Sequence, residues 1–368
     1  AFRLFETLND RGLELSAADL IKNRLLSRAA AEGNAVRESV VTIWENLMDD
    51  LGASQRINKI RFFRQYLLAT KLGKVSQSKL YDEYKEGIET VGSSEKFAKQ
   101  LARAAKDYRR LHEPDFEFDQ LNLKLNDLQH LGAVPAMTLL MRLLIGKWSE
   151  ADLLAVIPPI EVFSLRRSVC GWSTSEMDSL FNQIANLKKD ELTIAVVAKK
   201  LAGAIPGDEE FKSRLIDNEF RQNDQTRYIL EMFERYLLKT NELKVGGSQS
   251  VHIEHILPQT IDSSRSRNTK GGDWKAYLGP DAESHRSMHK RIGNLTLLAK
   301  ELNIPASNNP FSAKIDFYKK SQFRLTAELC DQFKDWRNSQ IEKRSQTLAE
   351  RAVSIWSIDS EKAPYLKT

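Results

Sequence analysis

The chain has 368 residues, with 55 Lys and Arg against 50 Asp and Glu, a formal net charge of +5. That length exceeds one ordinary domain and suggests two or three. A composition of 41% hydrophobic and 29% charged residues excludes a disordered tail, and no run approaches the 18 apolar residues of a membrane-spanning helix.

No charged-then-apolar leader is visible. The chain opens on Ala1-Phe2 and passes straight into patterned sequence, so it reads as an excised fragment. Two cysteines, Cys170 and Cys330, make neither a disulfide framework nor a four-cysteine zinc site, and a reducing cytoplasm is the default location. The charge is unevenly spread. Residues 1–210 carry 29 basic and 30 acidic side chains, whereas 211–368 carry 26 and 20. A polyanion is attracted to the second part.

In chain order, Asn9-Asp10-Arg11-Gly12 is a turn signal, and Ser16 with Asp19 marks a helix start lined by Leu20, Ile21, Leu25 and Leu26. From 31 to 210, apolar residues recur at three- and four-residue spacing in 40–51, 57–72, 97–111, 134–147, 152–165 and 176–187. Pro158-Pro159 is expected to bend or break its helix. The segment 112–127 reads as polar and irregular. Nothing in this helical array forms a catalytic constellation. Residues 211–245 read as a further strong helix, with Tyr228, Met232 and Tyr236 on its apolar face, and Gly246–Ser250 as a loop.

The character then changes. Val251-His252-Ile253-Glu254-His255 alternates and is β-branched, which predicts a strand. His252 and Glu254 share a face, whereas His255 joins them only if the chain bends, and Pro258 makes a bend plausible. Residues 263–291 carry seven basic side chains against three acidic, with Trp274 and Tyr277 interleaved. A Gly293-Asn294 turn leads into a second apolar strand at 295–298. Asn303 follows, then Asn308-Asn309-Pro310 starts a helix striped by Phe311, Ile315 and Tyr318. His285 and His289 read as surface residues of the basic loop, because no cysteine or nearby carboxylate completes a zinc set. Trp274 and Tyr277 read as packing residues. Taken singly, Asn294 is a turn residue and Asn303 a cap before Pro305.

Together these residues resemble the HNH, or ββα-metal, nuclease fold, and more closely the C-terminal domain of GmrSD-type modification-dependent restriction nucleases and the related SspE defence nucleases. The likeness is carried by His252-Ile-Glu254-His255-Ile-Leu-Pro258-Gln259, Gly293-Asn294-Leu-Thr-Leu297, Asn303, and Asn309-Pro310-Phe311 with Lys314. At the N-terminal edge, Phe5–Ser16 and Asp19–Asn23 resemble the last segment of a ParB-like nucleotide-hydrolysing domain. That domain's nucleotide motif is absent, so no nucleotide-binding residue is assigned, and the resemblance implies an upstream nucleotide-hydrolysing domain as a partner.

The expectation is a mainly α chain: a multi-helical body with a small ββα-metal, α+β nuclease domain at its C-terminal end. The segments are a terminal piece of a ParB-like domain (1–30), a helical middle region (31–210), the nuclease domain (211–350) and a tail (351–368).

By resemblance, Glu254 and Asn303 hold Mg²⁺ or Mn²⁺, His255 is the general base, Asn294 fixes the loop or orients His255, and His252 is an outer or substrate-polarising member. Lys290, Arg291 and Lys314 are the candidates for DNA phosphates. The implied function is a metal-dependent DNA endonuclease that senses modified phage DNA in anti-phage defence. A non-catalytic DNA-binding or assembly module on the same scaffold, and a toxin-type RNase, remain open beside it.

Overall fold

The computed structural model describes residues 17–70, 79–240, 249–261 and 274–357. The turn at 9–12, the ParB-like segment before Ala17 and the basic residues Arg265, Arg267 and Lys270 lie outside them. The chain forms two compact units. It is mainly helical, with one small two-stranded antiparallel sheet near its C-terminal end. Among the described residues, no helix is long and apolar enough to cross a membrane.

The first unit takes in the described residues up to Gln129, with Ala133–Ile157 and Thr174–Lys200. Its helices are α1 (Ala17–Glu32), α2 (Asn34–Gly52), α3 (Lys59–Thr70), α4 (Leu80–Val91), α5 (Ser94–His112), α6 (Asp119–Leu131), α7 (Met137–Ile145), the start of α8 (Glu150–Cys170), α9 (Thr174–Ala185) and α10 (Ile194–Ala202). Helical spacing on α3 to α5 buries Phe62, Phe63, Tyr66, Tyr84, Phe97 and Tyr108. The Phe62 and Phe63 rings meet edge-on at 5.2 Å, and Phe63 meets Tyr84 at 5.7 Å. The buried hydroxyls find acceptors: Tyr84 donates to the Phe63 carbonyl (3.0 Å) and Tyr108 to Gln65 Oε1 (2.8 Å).

One sequence expectation fails here, and of the two alternatives at Pro158-Pro159 the break is excluded. Residues 119–131 form a regular helix, because Leu121, Leu125 and Leu128 supply a buried stripe at spacings of four and three that the intervening Leu123 and asparagines obscure. The helix Glu150–Cys170 contains Pro158 and Pro159 and continues through them without a break.

The second unit contains His130–Gly132, Pro158–Ser173 and the described residues from Leu201 onward. Its elements are α11 (Asp208–Asp217), α12 (Asp224–Leu238), β1 (Val251–His255), α13 (Trp274–Leu278), α14 (His285–Met288), β2 (Leu295–Ala299), α15 (Lys300–Ala306), α16 (Phe311–Tyr318), α17 (Arg324–Gln332) and α18 (Asn338–Ile355). The stretch expected as one helix from 211 is thus two, parted by a loop at 218–223. Asn223 caps α12 by accepting from Thr226 N.

The β1–β2 pair sets Glu254 opposite Thr296 and His255 opposite Leu295. A two-stranded ribbon is marginal alone. Here Ile253, Leu295 and Leu297 are buried in one core with Tyr228, Ile229, Leu325 and Leu348. Glu234 of α12, fully buried, accepts from the Arg324 and Leu325 amides at 2.7 Å each and so caps α17. Arg344 of α18 is buried and donates to the Gly293 and Leu295 carbonyls, both at 2.7 Å. Gly293 owes its identity to close approach: a Cβ there would lie 2.2 Å from the Ile341 carbonyl oxygen.

Candidate active site

The end of β1 opens onto a cleft of about 700 Å³ lined by His252, Glu254, His255, Gln259, Gln222 and Asn303, among others. The bend needed to bring His255 beside Glu254 is built by Asn294. Its Oδ1 accepts from Leu257 N (2.7 Å) and Trp336 Nε1 (2.9 Å), and its Nδ2 donates to the Leu257 and His289 carbonyls (2.8 and 2.9 Å). With both amide atoms engaged and no exposed surface, Asn294 clamps the backbone after β1 and has no atom left for substrate. Its placement among the catalytic residues is corrected accordingly, and the loop-fixing part of the expectation describes what it does.

Lys314 is also corrected. Its side chain is fully buried. An ammonium has three protons, and all three are spent: on Glu254 Oε1 (2.7 Å), the His255 carbonyl (2.9 Å) and the Ile256 carbonyl (3.1 Å). It cannot meet a DNA phosphate. It holds the Glu254 carboxylate and the turn of chain after it in one arrangement. Tyr318, one turn along the same helix, donates its hydroxyl to Glu254 Oε1 at 2.9 Å. Burial first, then Glu254, keeps that phenol protonated.

The other oxygen of Glu254, Oε2, faces Asn303, whose Nδ2 lies 3.3 Å away. Asn303 sits within α15, not as a cap before Pro305. His255 is 8% exposed, and its imidazole is pushed down to about 4, chiefly by burial, then by His289 and Lys314. It is neutral at physiological pH. His252 is half-buried on the cleft wall.

Lys290 and Arg291 do not line the cleft. Lys290 pairs with Glu219 at 2.8 Å, and Arg291 donates to the Ile216 carbonyl (3.0 Å) and reaches Asp217 at 3.4 Å. His285 and His289 are not loose surface residues. His285 Nε2 donates to the Pro258 carbonyl (2.7 Å), His289 Nδ1 to the His285 carbonyl (2.9 Å), and their rings stack at 4.9 Å beside His255. Trp274 is buried, and Tyr277 accepts from Trp336 N. Among the described residues no group of three or more His, Cys, Asp and Glu forms a metal cage.

Among the cleft residues that the sequence alone did not single out, one touches the His255 ring. Gln222, from the loop before α12, donates to the Ile253 carbonyl (2.9 Å) and lies 3.2 Å from His255 Nδ1. The Asn223-Asp224 capping pattern was the signal that a loop ends there.

The two short strands, the following helix and the carboxylate, imidazole and amide on one polar cleft all lie within a segment whose family match supports a nuclease module of the restriction-endonuclease class. Residues 205–351 match the family of GmrSD restriction endonucleases, C-terminal domain. Over that segment the chain is similar to GmrSD-type defence nucleases. No curated protein matches the chain.

Proposed function

We propose that this cleft hydrolyses DNA phosphodiesters in a metal-dependent, HNH-type reaction, with His255 as general base. The observation that supports it is the convergence of Glu254, His255 and Asn303 on one polar cleft inside the matched segment. A neutral imidazole offers a lone pair, and burial beside His289 and Lys314 keeps it neutral. It takes a proton from a water as the water oxygen bonds to phosphorus. The bond from phosphorus to the leaving oxygen breaks, and that oxygen takes up a proton from solvent. His252, which lines the cleft, would hydrogen-bond a phosphate oxygen.

The donor set fits a hard divalent ion. Lys314 and Tyr318 use Oε1 of Glu254 and leave Oε2, and the neighbouring Asn303 side chain presents its amide oxygen on rotation. Mg²⁺ accepts few protein oxygens and keeps several waters; when bound, it stabilises charge on the phosphoryl and leaving oxygens. The GmrSD likeness extends the proposal to phage DNA carrying a modification, sensed with an upstream nucleotide-hydrolysing domain.

The test is plasmid cleavage with Mg²⁺ or Mn²⁺. Wild type nicks or linearises the plasmid, and His255→Ala and Asn303→Ala lower the rate by about 100-fold or more. Both variants cutting at the wild-type rate would overturn the reading. Salt-sensitive DNA binding without cleavage by the wild type would instead support a non-catalytic scaffold, and cleavage of RNA alone a toxin-type RNase.

A further inference from the structure

We infer that Gln222 is a positioning residue which, with Gln259, fixes His255 in the tautomer whose lone pair is on Nδ1, on the cleft side of the ring. The inference rests on the general-base reading of His255 and adds which nitrogen is the base and what selects it.

The geometry decides the matter in three steps. The Ile253 carbonyl only accepts, so the Gln222 atom 2.9 Å from it is the amide nitrogen. That NH₂ group has a second hydrogen, and Nδ1 of His255 lies 3.2 Å from the same nitrogen. A protonated Nδ1 would set N–H against N–H there. In the neutral ring Nδ1 therefore carries the lone pair and Nε2 the hydrogen. Gln259 approaches the same atom, its amide nitrogen 3.4 Å from Nδ1, and lines the same cleft. The two amides mark where an attacking water would place its own hydrogen. Nδ1 has one lone pair, so an attacking water displaces both amide contacts from it, while Gln222 stays tethered to β1 through its other hydrogen on the Ile253 carbonyl.

Gln222 stands in an exposed loop and touches the site only through its amide tip. It can therefore be changed without opening a core. Gln222→Leu removes both donors, and Gln222→Glu keeps the shape but turns the donor into an acceptor, which favours a proton on Nδ1.

The experiment reads two things in the full chain. The first is the nitrogen-15 spectrum of the His255 imidazole at a pH where the ring is neutral, without added metal. Wild type shows an unprotonated Nδ1 and a protonated Nε2, Gln222→Leu shows a mixture, and Gln222→Glu shows Nδ1 protonated. The second is plasmid cleavage, where both variants lose about 10-fold or more in kcat with KM within about two-fold, in the direction of the loss that a wrong histidine tautomer causes in a catalytic triad. An unchanged tautomer and unchanged kcat in both variants, with His255→Ala still inactive, would overturn the role of Gln222 and leave the general-base reading standing. Cleavage by His255→Ala at the wild-type rate would sink the general-base reading itself, and the spectrum would still decide the tautomer.

Discussion

In each unit a histidine has its imidazole pushed down to about 4, with burial the leading cause in both. In the first unit His112 ends α5, its ring 4.6 Å from Tyr108, among the aromatic residues of a helical core. In the second, His255 ends β1 on a cleft that a carboxylate and an amide also line, with two glutamine tips beside its Nδ1. The same electrostatic perturbation thus accompanies packing at His112 and groups able to do chemistry at His255. What separates them is the company each ring keeps, not the size of its shift. A perturbed group marks a site only when a cleft and convergent polar partners accompany it.

The contrast extends to the buried volume. Around Phe62, Phe63 and Tyr84 the first unit buries rings with a few satisfied hydroxyls. Around Glu254 the second buries an ion pair, Asn294, Thr296 and Arg344. Apolar packing degrades by increments, whereas a saturated polar network fails when one partner is removed.

The largest expected effect is therefore at Lys314. Lys314→Met leaves Glu254 buried without its cation and two carbonyls without a donor, and should destabilise the second unit by about 3–5 kcal/mol in denaturant unfolding. A loss below about 1 kcal/mol would refute the network account. Gly293→Ala comes next. The added methyl collides with the Ile341 carbonyl and the Ser345 amide, and separating β2 from α18 should cost about 3 kcal/mol.

Acid sharpens the comparison of the histidines. Below the ordinary imidazole value of 6.5 the unfolded chain takes up a proton that folded His112 refuses until about pH 4. Stability is therefore lost as pH falls from about 6.5 to about 4. His112→Phe should remove up to about 3 kcal/mol of that acid sensitivity. Parallel stability–pH curves for wild type and variant would show that His112 is not the cause. The smallest effect is Tyr84→Phe, which deletes one buried hydroxyl donor to the Phe63 carbonyl and should cost about 1 kcal/mol.

How much of this was legible in the sequence follows from the kind of order each part has. Helical periodicity announced most of the first unit, and the alternation of Val251 to His255 announced β1. The His252–Glu254–His255 run and Asn303 pointed to the residues that share the cleft, because their types and order are bound to chemistry. The corrections fall where a residue's surroundings decide its role. Lys314 was expected to meet a DNA phosphate, yet it lies three residues after Phe311 and four before Tyr318, on the buried face of the same helix. Asn294 looked like a turn former or catalytic partner because a one-dimensional pattern cannot show that four hydrogen bonds already engage it. Gln222 is 33 residues from His255, and only the fold brings their side chains together.

The central claim is that the Glu254–Asn303 edge of the cleft is the divalent-ion centre of a DNA-cleaving site. The most direct measurement is a crystal structure of the chain with Mn²⁺, located by anomalous scattering. The account predicts one peak within about 2.0–2.4 Å of Glu254 Oε2 and an oxygen of Asn303, with waters completing the shell. A peak at the His285–His289 pair, or no peak in the cleft at saturating Mn²⁺, would contradict it.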